Sequence, residues 1–275
     1  MKVALIQTRT PATQDAALAH VLPLVREAAA GGAELILTPE GTNLLQKDRE
    51  KLLPQLRNLD EDIVVKGLRD AAAELKVWIL IGSALVKRDG EGKAANRSIL
   101  IDPQGQIAAT YDKLHMFDVN LPTGESARES ELYEPGGRAV TAQAGPAKLG
   151  MTVCYDVRFP ALFRALALAG AEIMTVPAAF TRPTGKAHWE ILLRARAIET
   201  GSFVLAPAQG GFHEDGRGTY GHSIAIAPWG EVLGHLDHDE PGVLFADLDL
   251  AAAAKARAAI PALANARAFT GPGGG

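Results

Sequence analysis

Leu149-Gly-Met-Thr-Val-Cys-Tyr-Asp-Val-Arg-Phe-Pro160 is the stretch from which the rest of the chain is read. Its apolar run, Leu149 to Val153, has the length of a short buried strand. Pro160 followed by Ala161-Leu-Phe-Arg-Ala-Leu-Ala-Leu-Ala169 has helical spacing with proline in the first turn. Cys154 therefore falls just past the carboxyl end of a strand. In α/β sheets ligands bind at that edge, and a sharp turn there presses a nucleophile into a cleft beside backbone N–H groups. Cys154 is the only cysteine among 275 residues, so it has no intrachain disulfide partner and cannot anchor a thiolate-only metal site. A lone thiol often serves as a small buried hydrophobe. Against that stands the sequence after it, because Tyr155, Asp156 and Arg158 make an unusually polar core neighbourhood.

Outward from this segment the chain alternates strands and helices. Lys2 to Thr8 reads as a strand, 12–30 as a helix stopped by Gly31-Gly32, and Glu34 to Thr38 as a strand ending at Pro39-Glu40-Gly41. A helix with an acidic first turn is expected over 60–76, then a buried strand from Val77 to Gly82. This β-α-β-α-β order implies parallel strands covered by helices. Ser98 to Ile101 and Gln106 to Tyr111 flank Asp102-Pro-Gln-Gly105, a type I turn, and predict a hairpin; Ile224 to Leu233, around Pro228-Trp-Gly230, looks like a second copy. Past Cys154 come a strand at 172–176, a helix over 185–200, a strand at 202–206, a closing strand at 243–249 and an Ala-rich helix over 250–260. The expected class is α/β, with two mixed sheets each covered by helices on one face and by the other sheet on the second, a four-layer α-β-β-α sandwich. One domain is expected over 1–268, with a flexible tail over 269–275.

Composition excludes several functions. The net charge is −4, with 28 basic and 32 acidic residues interspersed, so no extended basic face is offered to nucleic acid. Met1 to Ile6 is charged and then apolar, but the run breaks at Gln7 with no small-residue cleavage site after it, which fits a first strand better than a signal peptide. No apolar run approaches the ~18 residues of a membrane span. A single free cysteine suits a reducing compartment, so a cytoplasmic location with no membrane partner is expected.

Two further strand ends carry isolated charges, Glu40 after Leu35-Ile-Leu-Thr-Pro39 and Lys113 after the strand ending at Tyr111. Each alone is as well explained by a solvated surface group. Beside a strand-end thiol they form a set, since acyl transfer needs a nucleophile, a base and a cation for the developing oxyanion. Pro39-Glu40, Tyr111-Asp-Lys113-Leu-His115 and Gly150-Met-Thr-Val-Cys154-Tyr-Asp-Val-Arg158-Phe-Pro160 resemble the three signature segments of the nitrilase superfamily, the carbon–nitrogen hydrolases. The likeness continues through Ala187 to Thr200, Tyr220-Gly-His-Ser223 and Pro228-Trp-Gly230, and so spans nearly the whole chain.

The resemblance implies the α-β-β-α sandwich, a Glu-Lys-Cys triad of Glu40, Lys113 and Cys154, no metal and no cofactor, and a homodimer or higher homo-oligomer. It also implies a second glutamate in the pattern Glu-Ser, four residues, Pro-Gly. Glu129 of Glu129-Ser130 before Pro135-Gly136 fits, although Glu125, Glu131 and Glu134 keep a plain acidic loop open as the alternative. Tyr155 would contribute its backbone N–H to the oxyanion. Arg158, four residues after the nucleophile, would grip a substrate carboxylate; pairing with Asp156 or a glutamate is the equal alternative. His188 and His222 are expected to pack rather than react, and neither His213-Glu214-Asp215 nor His235 with His238 has metal-ligand spacing. Ile260 to Arg267 lacks the basic ending of close relatives, which bears on subunit contacts.

Within the superfamily, Thr184 to Glu190 and Ala208 to Ser223 look most like the deaminated glutathione amidase branch. Its implied activity is thiol-dependent hydrolysis of the ω-amide of a 2-oxo acid by way of a cysteinyl thioester. An ω-amidase for 2-oxoglutaramate or 2-oxosuccinamate, an N-carbamoyl amino acid hydrolase and a catalytically silent scaffold are the alternatives. Gly210, Gly211, Gly216 and Gly218 are expected either to leave room for the substrate's Cys-Gly portion or to serve tight turns.

Overall fold

The computed structural model describes residues 1–88, 92–121, 124 and 126–272. Its first half runs β1 (Lys2–Gln7), α1 (Gln14–Ala30), β2 (Leu35–Leu37), α2 (Arg49–Leu52), α3 (Ile63–Leu75), β3 (Trp78–Val86), β4 (Ala95–Ile101), β5 (Ile107–Asp112), β6 (Asp118–Asn120) and β7 (Ser126–Arg128). The second half runs β8 (Val140–Ala144), β9 (Ala147–Met151), α4 (Pro160–Leu168), β10 (Ile173–Thr175), α5 (Arg182–Thr200), β11 (Phe203–Ala206), β12 (Gly210–Phe212), β13 (Gly218–Tyr220), β14 (Ile224–Ile226), β15 (Val232–His235), β16 (Gly242–Asp247) and α6 (Ala251–Ala259).

Among the described residues, two six-stranded sheets form, in the orders β16-β1-β2-β3-β4-β5 and β15-β14-β11-β10-β9-β8. The first has β1, β2 and β3 parallel at its centre and the second has β9, β10 and β11. These strands are apolar on both faces because both are covered. Ala4, Ile6, Ile36, Ile79 and Ile81 meet Val21 and Val25 of α1 and Val64 and Leu68 of α3. The alternate residues Val3, Leu5, Leu35, Leu37 and Leu80 share a core with Leu149, Met151 and Ile173 of the second sheet, which extends to Phe163 of α4 and Trp189 of α5. The architecture is thus the expected α-β-β-α sandwich. The two hairpins occupy matching places, each beyond its sheet's parallel trio, and in both a turn glycine donates to the residue three before it: Gly105 N to Asp102 O and Gly230 N to Ala227 O, each 2.9 Å.

Some boundaries differ from expectation, with local causes. α3 begins at Ile63 because Asp62 caps it, its Oδ1 accepting from Val64 N and Val65 N, both 3.0 Å, so the acidic residues precede the helix. α5 begins at Arg182, where Pro183 fits the first turn. The β6–β7 and β12–β13 ribbons and edge strand β8 were not expected, being short or polar. Of the tail, 273–275 lie outside the described residues. Among the described residues no helix is long and apolar enough to cross a membrane.

Candidate active site

Three strand ends deliver the three expected groups. Glu40 lies in the turn after β2, Lys113 follows β5, and Cys154 opens a one-turn 3-10 helix, Cys154–Arg158, after β9. The Glu40 turn is pressed into a recess on β3 that only glycine leaves open, because a Cβ on Gly82 would lie 2.0 Å from Thr38 O, 2.4 Å from Pro177 Cβ and 2.5 Å from Pro39 O. Cys154 itself has φ +50°, a left-handed conformation that non-glycine residues adopt at a cost, as in the strained elbow that exposes a nucleophile. Its N–H is held by Pro177 O at 2.8 Å.

The side chains converge. Lys113, 2% exposed, donates from Nζ to Glu40 Oε1 at 2.9 Å and to both oxygens of Glu129, at 2.9 and 2.8 Å. An ammonium so buried needs paired charge, and here it has two carboxylates. Glu40 Oε2 accepts from Ala179 N at 2.9 Å, and Glu129 Oε2 accepts from Phe117 N at 2.6 Å. Burial by itself would raise the Glu40 carboxyl, but the Lys113 ammonium and hydrogen bonds from Lys113, Cys154 and Asn96 bring it below its ordinary range. Burial works to lower the Lys113 ammonium, and the charges of Glu129 and Glu40 overcome it and raise it well above normal. The Cys154 thiol is pushed well up, by burial and then by the Glu40 charge, and hydrogen-bonds to Glu40. The resting arrangement is therefore a neutral thiol facing an ionised carboxylate whose partner is an ammonium.

Asp156, fully buried, braces this set. It accepts from Tyr111 Oη at 2.6 Å, Val153 N at 2.9 Å, His115 N at 3.1 Å and lies 2.7 Å from His115 Nδ1. Tyr111 and His115 flank Lys113, so the lysine segment is tied to the cysteine turn on both sides. The amides around Tyr155 are engaged, Cys154 N with Pro177 O and Asp156 N with Val153 O. The Tyr155 ring meets Phe117 and Phe159 edge-on at 5.2 and 5.3 Å.

Arg158 is half-buried and pairs with no acidic group among the described residues. Its guanidinium lies over the Phe180 ring at 5.4 Å and donates to His188 Nδ1 at 3.3 Å. The alternative pairing with Asp156 does not occur, Asp156 being engaged elsewhere. Of the two readings of the glycines, room for substrate is not what the geometry bears out: a Cβ on Gly210 would meet Asp239 O at 2.3 Å, one on Gly211 the Arg9 guanidinium at 2.3 Å and one on Gly218 Arg182 at 3.0 Å, while Gly216 has φ +79° in a turn. They permit tight packing. His213 Nδ1 donates to Thr10 O at 3.3 Å and its Nε2 lies 2.7 Å from Thr219 Oγ1, while Glu214 and Asp215 accept from Ala12 N and Lys47 N. His222 stacks on Tyr220. No group of three His, Cys, Asp or Glu among the described residues is placed to hold a metal ion.

Sequence reasoning missed Asn96, which bonds to both glutamates, and the N–H groups of Ala179 and Phe117. The available signal for Asn96 was its place two residues before Ser98, on the same face as Ser98 and Leu100; the backbone donors have none.

The carbon–nitrogen hydrolase family model matches residues 2–258. A deaminated glutathione amidase of Yersinia enterocolitica is 44% identical over 205 residues, 74% of this chain and 71% of that protein. One from Synechocystis sp. is 41% identical over 235 residues, 84% of this chain and 85% of that protein. The crystal structure of the C. elegans NitFhit protein superposes with a TM-score of 0.89 at 30% identity, covering 97% of this chain, which spans 65% of that longer one. The chain belongs to the carbon–nitrogen hydrolase family, the nitrilase superfamily. It is an amide-hydrolysing enzyme, acting on a small-molecule amide with water as co-substrate.

Proposed function

We propose that the protein hydrolyses the terminal amide of deaminated glutathione, a 2-oxo acid ω-amide, through a thioester on Cys154. The observation that carries this reading is the buried Lys113 ammonium between Glu40 and Glu129, with the Cys154 thiol hydrogen-bonded to Glu40. Glu40 takes the thiol proton as Sγ attacks the amide carbon. The oxyanion is held by Lys113 and the Tyr155 N–H, a class of contact worth about 3 to 4 kcal/mol per donor in the transition state. Collapse breaks the C–N bond, and Glu40 passes its proton to the nitrogen, which leaves as ammonia. Glu40 then deprotonates a water oriented with help from Glu129; the water adds to the thioester, the C–S bond breaks, and carboxylate and thiol are released.

Arg158, without an acidic partner among the described residues and on the same short helix as the nucleophile, binds the 2-oxo acid carboxylate. The names of the two curated relatives favour deaminated glutathione over other ω-amides. In this reading residues 1–268 form one domain with a short tail, and the free thiol suits the cytoplasm. A second copy of the chain covers the apolar surface formed by Ile198 of α5 with Trp229 and Ile260, which are 56%, 55% and 59% exposed.

The test is kcat/KM for ammonia release from deaminated glutathione, 2-oxoglutaramate and an N-carbamoyl amino acid at one pH and salt. Deaminated glutathione is expected to lead, with Arg158→Ala impairing both oxo acids. A lead for either other substrate overturns the assignment.

A further inference from the structure

Asn96 lies on β4 with its side chain, 3% exposed, between the two glutamates. Its Nδ2 donates one hydrogen to Glu40 Oε1 at 2.9 Å and the other to Glu129 Oε1 at 3.1 Å. The same two oxygens accept from Lys113 Nζ, each at 2.9 Å. Carboxylate, ammonium, carboxylate and amide thus close a ring. Asn96 Oδ1, by contrast, is the one buried side-chain polar atom among the described residues with no partner. Such an orphan acceptor is destabilising and seldom kept without a reason. Turning the amide over would set Oδ1 against two carboxylate oxygens, so the orientation is dictated by the glutamates and the orphan is its consequence.

The ring matters because an ammonium has three hydrogens, and Lys113 faces three carboxylate oxygens, one of Glu40 and two of Glu129. To reach a substrate oxyanion it has to turn one hydrogen away; each Oε2 keeps its backbone donor, Ala179 N or Phe117 N, but a buried Oε1 left without one is costly. Asn96 still holds both Oε1 atoms at that moment.

We propose that Asn96 is a positioning residue of the amide hydrolysis: it clamps Glu40 and Glu129 at a fixed spacing and lets Lys113 release one N–H to the oxyanion without leaving either Oε1 unpaired. This rests on the thioester reading above. The charged and titratable groups around the pair are Lys113, the Cys154 thiol and the Tyr133 phenol, with Arg217 beyond the phenol. Asn96 donates to the ionised Glu40 carboxylate, so its loss makes that group easier to protonate and moves the acid limb of activity to higher pH.

The experiment compares wild type, Asn96→Leu, which keeps the approximate shape without a donor, and Asn96→Ser, which retains one. The readouts are kcat and KM for deaminated glutathione across pH, the pH dependence of Cys154 alkylation by iodoacetamide followed by intact mass, and Tm. Asn96→Leu is expected to lose about tenfold or more in kcat with KM within about threefold. The acid limb of both profiles should rise by about half a pH unit or more, with Asn96→Ser between. Unchanged kcat and acid limb in either folded variant overturn the proposal, as does a loss matching the unfolded fraction with an unshifted profile. If Asn96→Leu does not fold, Asn96→Ser decides alone. If wild type fails to turn over the amide yet the alkylation limb shifts as stated, the substrate reading has failed and the role of Asn96 stands.

Discussion

Tyr111 Oη donates to Asp156 Oδ2 across 2.6 Å, and each of the two residues stands two positions from a member of the proposed triad, Tyr111 from Lys113 and Asp156 from Cys154. The bond spans the two sheets and joins the segments that carry the ammonium and the thiol. Burial and then the Asp156 charge raise the Tyr111 phenol, which therefore remains a donor at every working pH.

Tyr111→Phe should cost about 1.5 to 3 kcal/mol of stability, the range for a buried hydrogen bond to a charged acceptor. It also leaves Leu114 N without the phenol oxygen it donates to. Because the segments carrying Lys113 and Cys154 are then less firmly joined, kcat should fall further than KM rises. Denaturant melts and steady-state kinetics check both, and unchanged kcat would remove the brace from the account.

Glu40→Gln and Lys113→Ala should fail differently. In the proposed mechanism the first removes the base of both half-reactions, so thioester formation and hydrolysis should slow together. The second removes the proposed oxyanion stabilisation, with an expected cost of about 100-fold or more, and leaves two carboxylates facing each other, so reduced stability is expected as well. Single-turnover mass spectrometry separates the steps, and normal turnover by Glu40→Gln would place the base elsewhere.

Gly82→Ala tests how the Glu40 turn is seated. The new methyl group would strike Thr38 O, Pro39 O and Pro177 Cβ, and two of these three are backbone atoms. A loss of about 1 to 3 kcal/mol is expected, with a parallel fall in activity because Pro177 also holds Cys154 N. A stable, fully active Gly82→Ala protein would contradict the packing argument.

His213 should make the fold acid-sensitive. Burial lowers its pKa from 6.5 to about 4, so between those values the unfolded chain binds the proton and the folded one does not. Its contribution is complete above about pH 6.5 and is lost as pH falls towards about 4, some 3 kcal/mol at most. His213→Asn should flatten the difference in stability across that window. Equal acid slopes for variant and wild type would refute the assignment.

The fold was legible because it rests on strong local signals, apolar runs long enough for buried strands and Asp-Pro-Gln-Gly in a turn. Glu40, Lys113 and Cys154, by contrast, stood out only as isolated charges and a thiol just past strand ends and were joined into an expected triad by the family resemblance. Asn96 was missed because the strand was expected to begin at Ser98, one residue after Arg97 and two after the amide that matters. β12 and β13 have three residues each and are rich in glycine, so neither propensity nor alternation marks them. The glycines of that ribbon illustrate a further limit, since a missing side chain looks the same in sequence whether a ligand or Asp239 backbone fills the space. Ala179 and Phe117 act through backbone N–H groups, which no residue type announces.

The most direct measurement of the central claim is acid-quenched mass spectrometry of the enzyme mixed with deaminated glutathione. An adduct equal to the substrate less ammonia, mapped to Cys154 and absent from Cys154→Ala, is expected, with the variant folded and below about a tenth of wild-type turnover. Turnover with no adduct at Cys154, or retained by Cys154→Ala, would contradict the thioester mechanism.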